Sequence, residues 1–222
     1  MRKSAILITG ANGEVGHGLI SKLQNNGVNN IVSIDLNPLN KLFENFCINH
    51  IVGDILDEKL IKQLNNQYAF STIYHLAALL STRSEAVPQL AHKVNVGGTL
   101  NLLNMAVEQA KFQDMPIKFF FPSSIAVYGM KNIKEKMFAG AILENCFNNP
   151  ITMYGCNKLY CEHLGNYYAN YYQQINPQYI CPHLIDFRAI RFPGIISTKT
   201  IPTGGTSDYI PEMLHAAANN QP

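Results

Sequence analysis

Tyr154 and Lys158 stand four residues apart in Thr152-Met153-Tyr154-Gly155-Cys156-Asn157-Lys158, which opens a helical pattern running to about Gln174. A phenol and an ammonium therefore share one helix face. A free phenol has a pKa near 10 and is a poor base at neutral pH, but neighbouring cations stabilise its phenolate. Lowering the pKa by ~3 units needs on the order of 4 kcal/mol, which two cations supply together in a partly dry site. Such a base can take the proton of an alcohol as hydride leaves the carbinol carbon. Ser124, just past the apolar run Ile117-Lys118-Phe119-Phe120-Phe121, is placed to donate a hydrogen bond to the developing alkoxide. A Tyr-x-x-x-Lys pair alone arises often by chance, so its weight depends on the segments ahead of it.

The most informative of these is Ile6-Leu7-Ile8-Thr9-Gly10-Ala11-Asn12-Gly13-Glu14-Val15-Gly16, a short apolar run leading through a glycine-spaced turn into a helix. Gly10 suits a turn closed to most side chains, Gly13 lets backbone N–H groups approach an anion, and Gly16 lets the helix pack on the strand. The helix N-terminus adds orphan donors and partial positive charge, so a diphosphate fits there. After the helix come Asn25-Asn26-Gly27 and a second strand, Ile31-Val32-Ser33-Ile34-Asp35. Asp35 lies 35 − 16 = 19 residues after Gly16, close to the ~20 expected of a carboxylate that accepts from an adenosine ribose. No Arg follows it directly, so NAD is favoured over NADP. The competing reading is a turn cap ahead of Asn37-Pro38.

These residues need a scaffold, and the chain supplies alternating strand and helix patterns of a doubly wound, Rossmann-type α/β fold. Phe46 to Val52 reads as a third strand, and Asp57 to about Leu64 as a helix. Asp54 could accept from an adenine amine or cap its own turn. Ser71 to Leu76 reads as a fourth strand, ending in Ala77-Ala78, whose small side chains suit either a flat ligand or core packing. Pro88 to about Lys111 is a long helical pattern containing Asn95 and the pair Gly97-Gly98, a costly insertion that implies close packing or a local irregularity. Asn95 reads equally as a catalytic residue or as a polar core residue bonded to neighbouring backbone. Met130 to Pro150 lacks periodicity and reads as a surface excursion.

At 222 residues, with 47% hydrophobic and 14% charged, the chain can bury a full core and is not of disordered composition. A net charge of +2 without a basic cluster gives no footprint for nucleic acid. Met1-Arg2-Lys3-Ser4 leads straight into the first strand and no apolar run is long enough for a membrane span, so the expected location is cytoplasmic. Five cysteines without a C-x-x-C pair suit packed, reduced thiols, and the seven histidines lack ligand spacing, so no metal site is expected.

Taken in order, Thr9-Gly10-x-x-Gly13-x-x-Gly16, Asp35, Asp54-Ile55, His75-Leu76-Ala77-Ala78, Asn95-Val96-x-Gly98-Thr99, Ser123-Ser124-x-x-Val127-Tyr128-Gly129 and Tyr154-x-x-x-Lys158 resemble the extended short-chain dehydrogenase/reductase family, which holds nucleotide-sugar epimerases and dehydratases. Arg191-Phe192-Pro193-Gly194-Ile195-Ile196-Ser197 and Gly204-Gly205-Thr206-Ser207-Asp208-Tyr209 are similar to the branch that oxidises the 3-hydroxyl of L-threonine. The resemblance implies NAD-dependent formation of 2-amino-3-oxobutanoate, with Ser124, Tyr154 and Lys158 catalytic and Asn95 supporting a proton relay. The implied cofactor contacts are Gly10, Asn12, Gly13, Glu14, Val15, Gly16, Asp35, Asp54, Ile55, Leu76, Ala77, Ala78, Asn95, Tyr154, Lys158 and Pro193. Ser81, Thr206 and Ser207 would join Ser124 and Tyr154 in gripping the amino acid.

Residues 1–191 would form the NAD-binding domain and 192–222 the start of a substrate lobe, because family members continue beyond the position of Pro222. The expectation is that the cofactor half folds while substrate closure is impaired. Paired helices in relatives imply a homodimer. The alternatives are an NAD-dependent nucleotide-sugar 4-epimerase or reductase, and an NAD-binding module whose catalysis is impaired.

Overall fold

The computed structural model describes residues 1–176, 178, 183–196, 205 and 208–220. In chain order its elements are β1 (Lys3–Thr9), α1 (Glu14–Asn25), β2 (Ile31–Asp35), α2 (Lys41–Glu44), β3 (Cys47–Val52), α3 (Glu58–Gln67), β4 (Tyr68–His75), α4 (Ser81–Ala86), α5 (Pro88–His92), a π-helical turn (Lys93–Gly97), α6 (Gly98–Gln113), β5 (Ile117–Ser124), α7 (Ile133–Phe138), α8 (Met153–Asn170), β6 (Ile185–Phe192) and α9 (Tyr209–Ala218). All strand pairs are parallel and the sheet order is β3-β2-β1-β4-β5-β6. This is the doubly wound, Rossmann-type fold that the alternating pattern predicts. Strand order reverses between β1 and β4, so the carboxyl ends of those strands open a crevice where such sheets bind ligands.

Two apolar layers hold the sheet. One gathers Leu7, Val32, Phe70, Ile73, Phe119 and Ile117 from the strands with Leu102, Leu103 and Ala106 of α6 and Leu64 of α3. The other is smaller, with Ile8 and Ile31 packed against Ile20 of α1 and Phe43 of α2. Strands covered on both faces read as continuous apolar runs, which is why β1, β2 and β5 stand out in the sequence.

Four boundaries differ from the sequence expectation. β4 begins at Tyr68, three residues before Ser71, because a bulge opposite Ala5 and Ile6 leaves Ser71 unmatched; the Phe70 N–H freed nearby donates to Gln109 Oε1 of α6 at 3.0 Å. The long helix over 88–111 is three pieces, with the π turn at Asn95 as the irregularity that the glycine pair implied. α8 ends at Asn170 instead of near Gln174. β6 went unassigned in the sequence because Asp186, Arg188 and Arg191 interrupt its apolar residues. It is an edge strand, and Arg188 lies exposed and paired with Asp186 at 2.7 Å.

Candidate active site

The glycine turn leaves β1 at Gly10, whose φ of +66° is open to glycine and strained for other residues. A Cβ there would sit 2.6 Å from the Ala77 nitrogen, so the turn is pressed against the end of β4. Gly13 is the N-cap of α1, Glu14 and Val15 form its first turn, and Gly16 is buried within it. The Asp35 carboxylate accepts the Asn12 N–H at 3.0 Å and the Asn37 N–H at 3.1 Å. Asn12 Oδ1 in turn accepts the Asn40 N–H at 3.1 Å and lies 2.9 Å from His17 Nε2. Asp35 thus caps its own turn and braces the glycine turn, and it stays partly exposed at the carboxyl end of β2.

Asp54 is exposed, and its carboxylate accepts the Leu56 N–H at 2.9 Å, the turn-capping arrangement. The Ile55 side chain is buried against Gly98 and its carbonyl accepts from Asn101 Nδ2 at 3.1 Å, so that residue is committed to packing. Leu76, Ala77 and Ala78 follow β4 as a half-buried floor, tied to β1 where the Ala77 N–H donates to Thr9 Oγ1 at 3.3 Å.

Asn95 is almost fully buried in the π turn. Its side chain bonds the backbone of Leu79 twice, accepting the N–H at 2.7 Å and donating Nδ2 to the carbonyl at 3.1 Å. This is the backbone-bonding role weighed in the sequence, and it leaves the Asn95 carboxamide committed to the chain after β4. Just beyond that chain, Ser81 is buried at the start of α4. Glu85 of the same helix accepts the Met153 N–H at 2.5 Å and so latches α4 to the start of α8.

At the end of β5, pairing with β4 stops at Phe120. The Pro122 carbonyl beyond that point accepts Lys158 Nζ at 2.7 Å. Proline is tolerated there because no ladder donor is required. Ser124 caps a 3₁₀ turn over Ile125–Val127, accepting the Ala126 N–H at 3.1 Å, which leaves its own O–H to donate. The first turn of α8 packs on this turn so closely that a Cβ on Gly155 would run into the Ala126 carbonyl. Thr152 caps α8 by accepting the Gly155 N–H at 3.1 Å. Ser124, Tyr154 and Lys158 are therefore brought together at the carboxyl end of β5.

Lys158 Nζ lies 4.6 Å from the Phe121 ring centroid and 5.4 Å from that of Tyr154. Burial pulls the Lys158 pKa down to about 8, with Cys161 and Glu162 acting the other way. Burial pushes the Tyr154 phenol up to about 12, opposite to the direction the chemistry needs. The lysine alone does not produce a phenolate. Bringing a phenol from 12 to 7 corresponds to roughly 7 kcal/mol of favourable charge, toward which a second cation bound beside Tyr154 would contribute.

One group that the sequence did not flag completes the surroundings. Glu162, one turn beyond Lys158 on α8, accepts from Ser123 Oγ and from Arg191 Nε and Nη2, the last two at 2.9 and 2.7 Å. The recurrence of position 154 at 158 and 162 was the available signal. Pro193, just past β6, is exposed, and Thr206 and Ser207 lie outside the described residues. Among the described residues no cluster of His, Cys, Asp and Glu could hold a metal, and no helix is long and apolar enough to cross a membrane.

Residues 6–221 match the profile of the NAD dependent epimerase/dehydratase family. The chain belongs to that family. It is 33% identical over 217 residues to the mitochondrial L-threonine 3-dehydrogenase of Bos taurus, covering 97% of this chain and 52% of the bovine protein. A monomeric L-threonine 3-dehydrogenase from a metagenome superposes with a TM-score of 0.77 at 36% identity, covering 96% of this chain and 61% of that one. The holo form of the GalE-like L-threonine dehydrogenase from Cupriavidus necator gives 0.79 at 30% identity, covering 98% and 63%. The chain thus spans about half to three fifths of the length of these relatives.

NAD is the cofactor of the NAD dependent epimerase/dehydratase family, and the residues present fit it. The turn at Gly10 excludes side chains from the crevice, Gly13 leaves the α1 N-terminus uncovered by any side chain of its own, and Asp35 presents a carboxylate at the β2 end.

Proposed function

We propose that this chain carries the NAD-dependent oxidation of the L-threonine 3-hydroxyl to 2-amino-3-oxobutanoate. The observation that carries the reading is the stacking of Tyr154 and Lys158 along α8 against the Ser124 end of β5. The substrate is drawn from relatives whose names specify L-threonine dehydrogenation.

When bound, NAD supplies the hydride acceptor and a positively charged ring. The protein supplies the rest. The turn at Gly10–Gly16 offers backbone donors to a diphosphate, and Asp35 is poised for ribose hydroxyls. The Ser124 O–H donates to the substrate oxygen, Tyr154 takes the hydroxyl proton, and Lys158 holds positive charge beside the phenolate that forms. Ser81, Thr206 and Ser207 remain the proposed contacts to the amino acid. A two-fold dimer through α6 and α8 belongs to the same reading, and light scattering at micromolar protein decides it.

The test is NADH formation from NAD and L-threonine, run beside Tyr154→Phe. A signal that Tyr154→Phe abolishes while NAD binding survives supports threonine oxidation. Nucleotide-sugar 4-epimerisation with no net NADH would replace it with the epimerase reading. NAD binding without turnover of either substrate would make the chain a binding module.

A further inference from the structure

Tyr154, Lys158 and Glu162 recur every four residues along the face of α8 that meets the carboxyl ends of β5 and β6. Glu162 is the member of this row that no alcohol-oxidation step uses. It is nonetheless the most heavily bonded: Ser123 of β5 donates to one carboxylate oxygen, and the Arg191 guanidinium of β6 engages both. Ser123 and Arg191 are register partners across the β5–β6 ladder, so one carboxylate bridges both strands at the same level. Ser123 precedes Ser124, and Arg191 stands two residues before Pro193. The Glu162 and Arg191 side chains are each only 16% exposed. Arg191 is committed further, donating to the Glu144 carbonyl at 2.7 Å and to Asn148 Oδ1 at 3.2 Å, with its guanidinium 4.8 Å from the Tyr128 ring. The excursion between β5 and α8 is fastened to the same point.

We infer that Glu162 is a positioning residue for the Ser124, Tyr154 and Lys158 set, which pins α8 to the ends of β5 and β6 and supplies the negative charge that keeps the buried Lys158 an ammonium. The inference rests on the oxidation reading for its purpose, and on the Ser123 and Arg191 contacts of Glu162 and its place one turn beyond Lys158 for its existence. The charged and titratable groups facing Lys158 are Tyr154, Cys161 and Glu162 on its own helix, His75 on β4, and Arg191 on β6 by way of Glu162; Pro122 of β5 provides the carbonyl. Glu162 is the carboxylate among them, and its Coulombic effect favours the protonated lysine. A buried bidentate Arg–carboxylate pair also resists rotation in a way that a single hydrogen bond does not.

The test labels lysine Cε with carbon-13 in the whole chain and follows Lys158 by NMR against pH, with its signal assigned by its loss in Lys158→Met. In Glu162→Gln, which keeps the shape and removes the charge, the Lys158 midpoint should fall by about one pH unit. In Glu162→Asp, which draws the charge back by one methylene, it should fall by a few tenths of a unit, roughly in proportion to the weaker interaction. An unmoved midpoint in folded Glu162→Gln overturns the inference. If that variant does not fold, Glu162→Asp decides, a lowered midpoint supporting the inference and an unchanged one ending it. With threonine turnover, Glu162→Gln should lower kcat by about tenfold or more at unchanged KM for NAD, with partial recovery in Glu162→Asp. A shifted midpoint in a protein that never turns over threonine would remove the substrate reading and leave the role of Glu162 standing.

Discussion

His75 Nδ1 lies 2.8 Å from the hydroxyl oxygen of Thr9, its register partner across the β1–β4 ladder. On the other side, His75 Nε2 lies 2.9 Å from Thr99 Oγ1, which donates to the Asn95 carbonyl at 2.6 Å. The donors run one way. Ala77 N–H donates to Thr9, Thr9 to His75, His75 to Thr99, and Thr99 to Asn95. A neutral imidazole fits this chain and an imidazolium does not, because Nδ1 must accept.

Burial first, then the Lys158 charge, lowers the His75 pKa from 6.5 to about 3. Below pH 6.5 the unfolded chain takes up a proton that the folded chain refuses, so stability falls with pH between about 6.5 and 3. One proton corresponds to about 1.4 kcal/mol per pH unit. Urea midpoints between pH 7 and 4 should show this slope, about that much flatter in His75→Gln. Equal slopes in the two proteins would refute the assignment.

Lys158→Met should stabilise the fold while removing alcohol oxidation. The lysine pKa is drawn down from 10.5 to about 8, so the ammonium is held at a net cost at pH 7, on the order of 3 kcal/mol. Methionine fills a similar space without the charge. Thermal or urea unfolding measures the gain, and a less stable Lys158→Met would mean that the Pro122 hydrogen bond outweighs desolvation.

Gly10→Ala should cost about 2 kcal/mol or more, combining a left-handed backbone with a Cβ driven into the Ala77 backbone. NAD affinity should fall further than stability does, since the displaced segment is the crevice wall. Calorimetric titration with NAD on folded protein reads this directly; unchanged affinity would place the dinucleotide elsewhere.

Asn95→Ala should cost about 1–3 kcal/mol by leaving the Leu79 N–H unpaired, while the Leu79 carbonyl keeps the Ser84 hydroxyl. Hydrogen exchange at the Leu79 amide should accelerate more than at Leu7 or Ile73. Uniform acceleration would show that Asn95 supports the whole fold instead of this local lock.

The sequence disclosed what depends on residue type at fixed spacing. The glycine turn, the apolar strands from β1 to β5, and the Tyr154–Lys158 face are of that kind, since a left-handed turn, a buried strand and a helix face each restrict identity at known intervals. What it hid depends on contacts between distant segments. The Asp54 turn cap and the Asn95 grip on Leu79 stood in the sequence as one of two readings for each residue, and the contacts chose between them. β6 carries charges because one face is at the sheet edge, and Glu162 is unremarkable until β5 and β6 converge on it. The rise in the Tyr154 pKa comes from burial, which no spacing reveals.

The π turn at Lys93–Gly97 winds one residue more into the helical path than regular geometry would. The wider turn spreads that surplus residue over about the same rotation, so Leu102, Leu103, Ala106 and Ala110 keep facing the sheet and Thr99 keeps His75. A residue deleted within regular α6 would instead rotate everything beyond it by roughly 100° about the helix axis. A change of length along this path is thus best absorbed at the π turn, where its cost falls on Asn95 and the grip on Leu79 and not on the screw phase of α6.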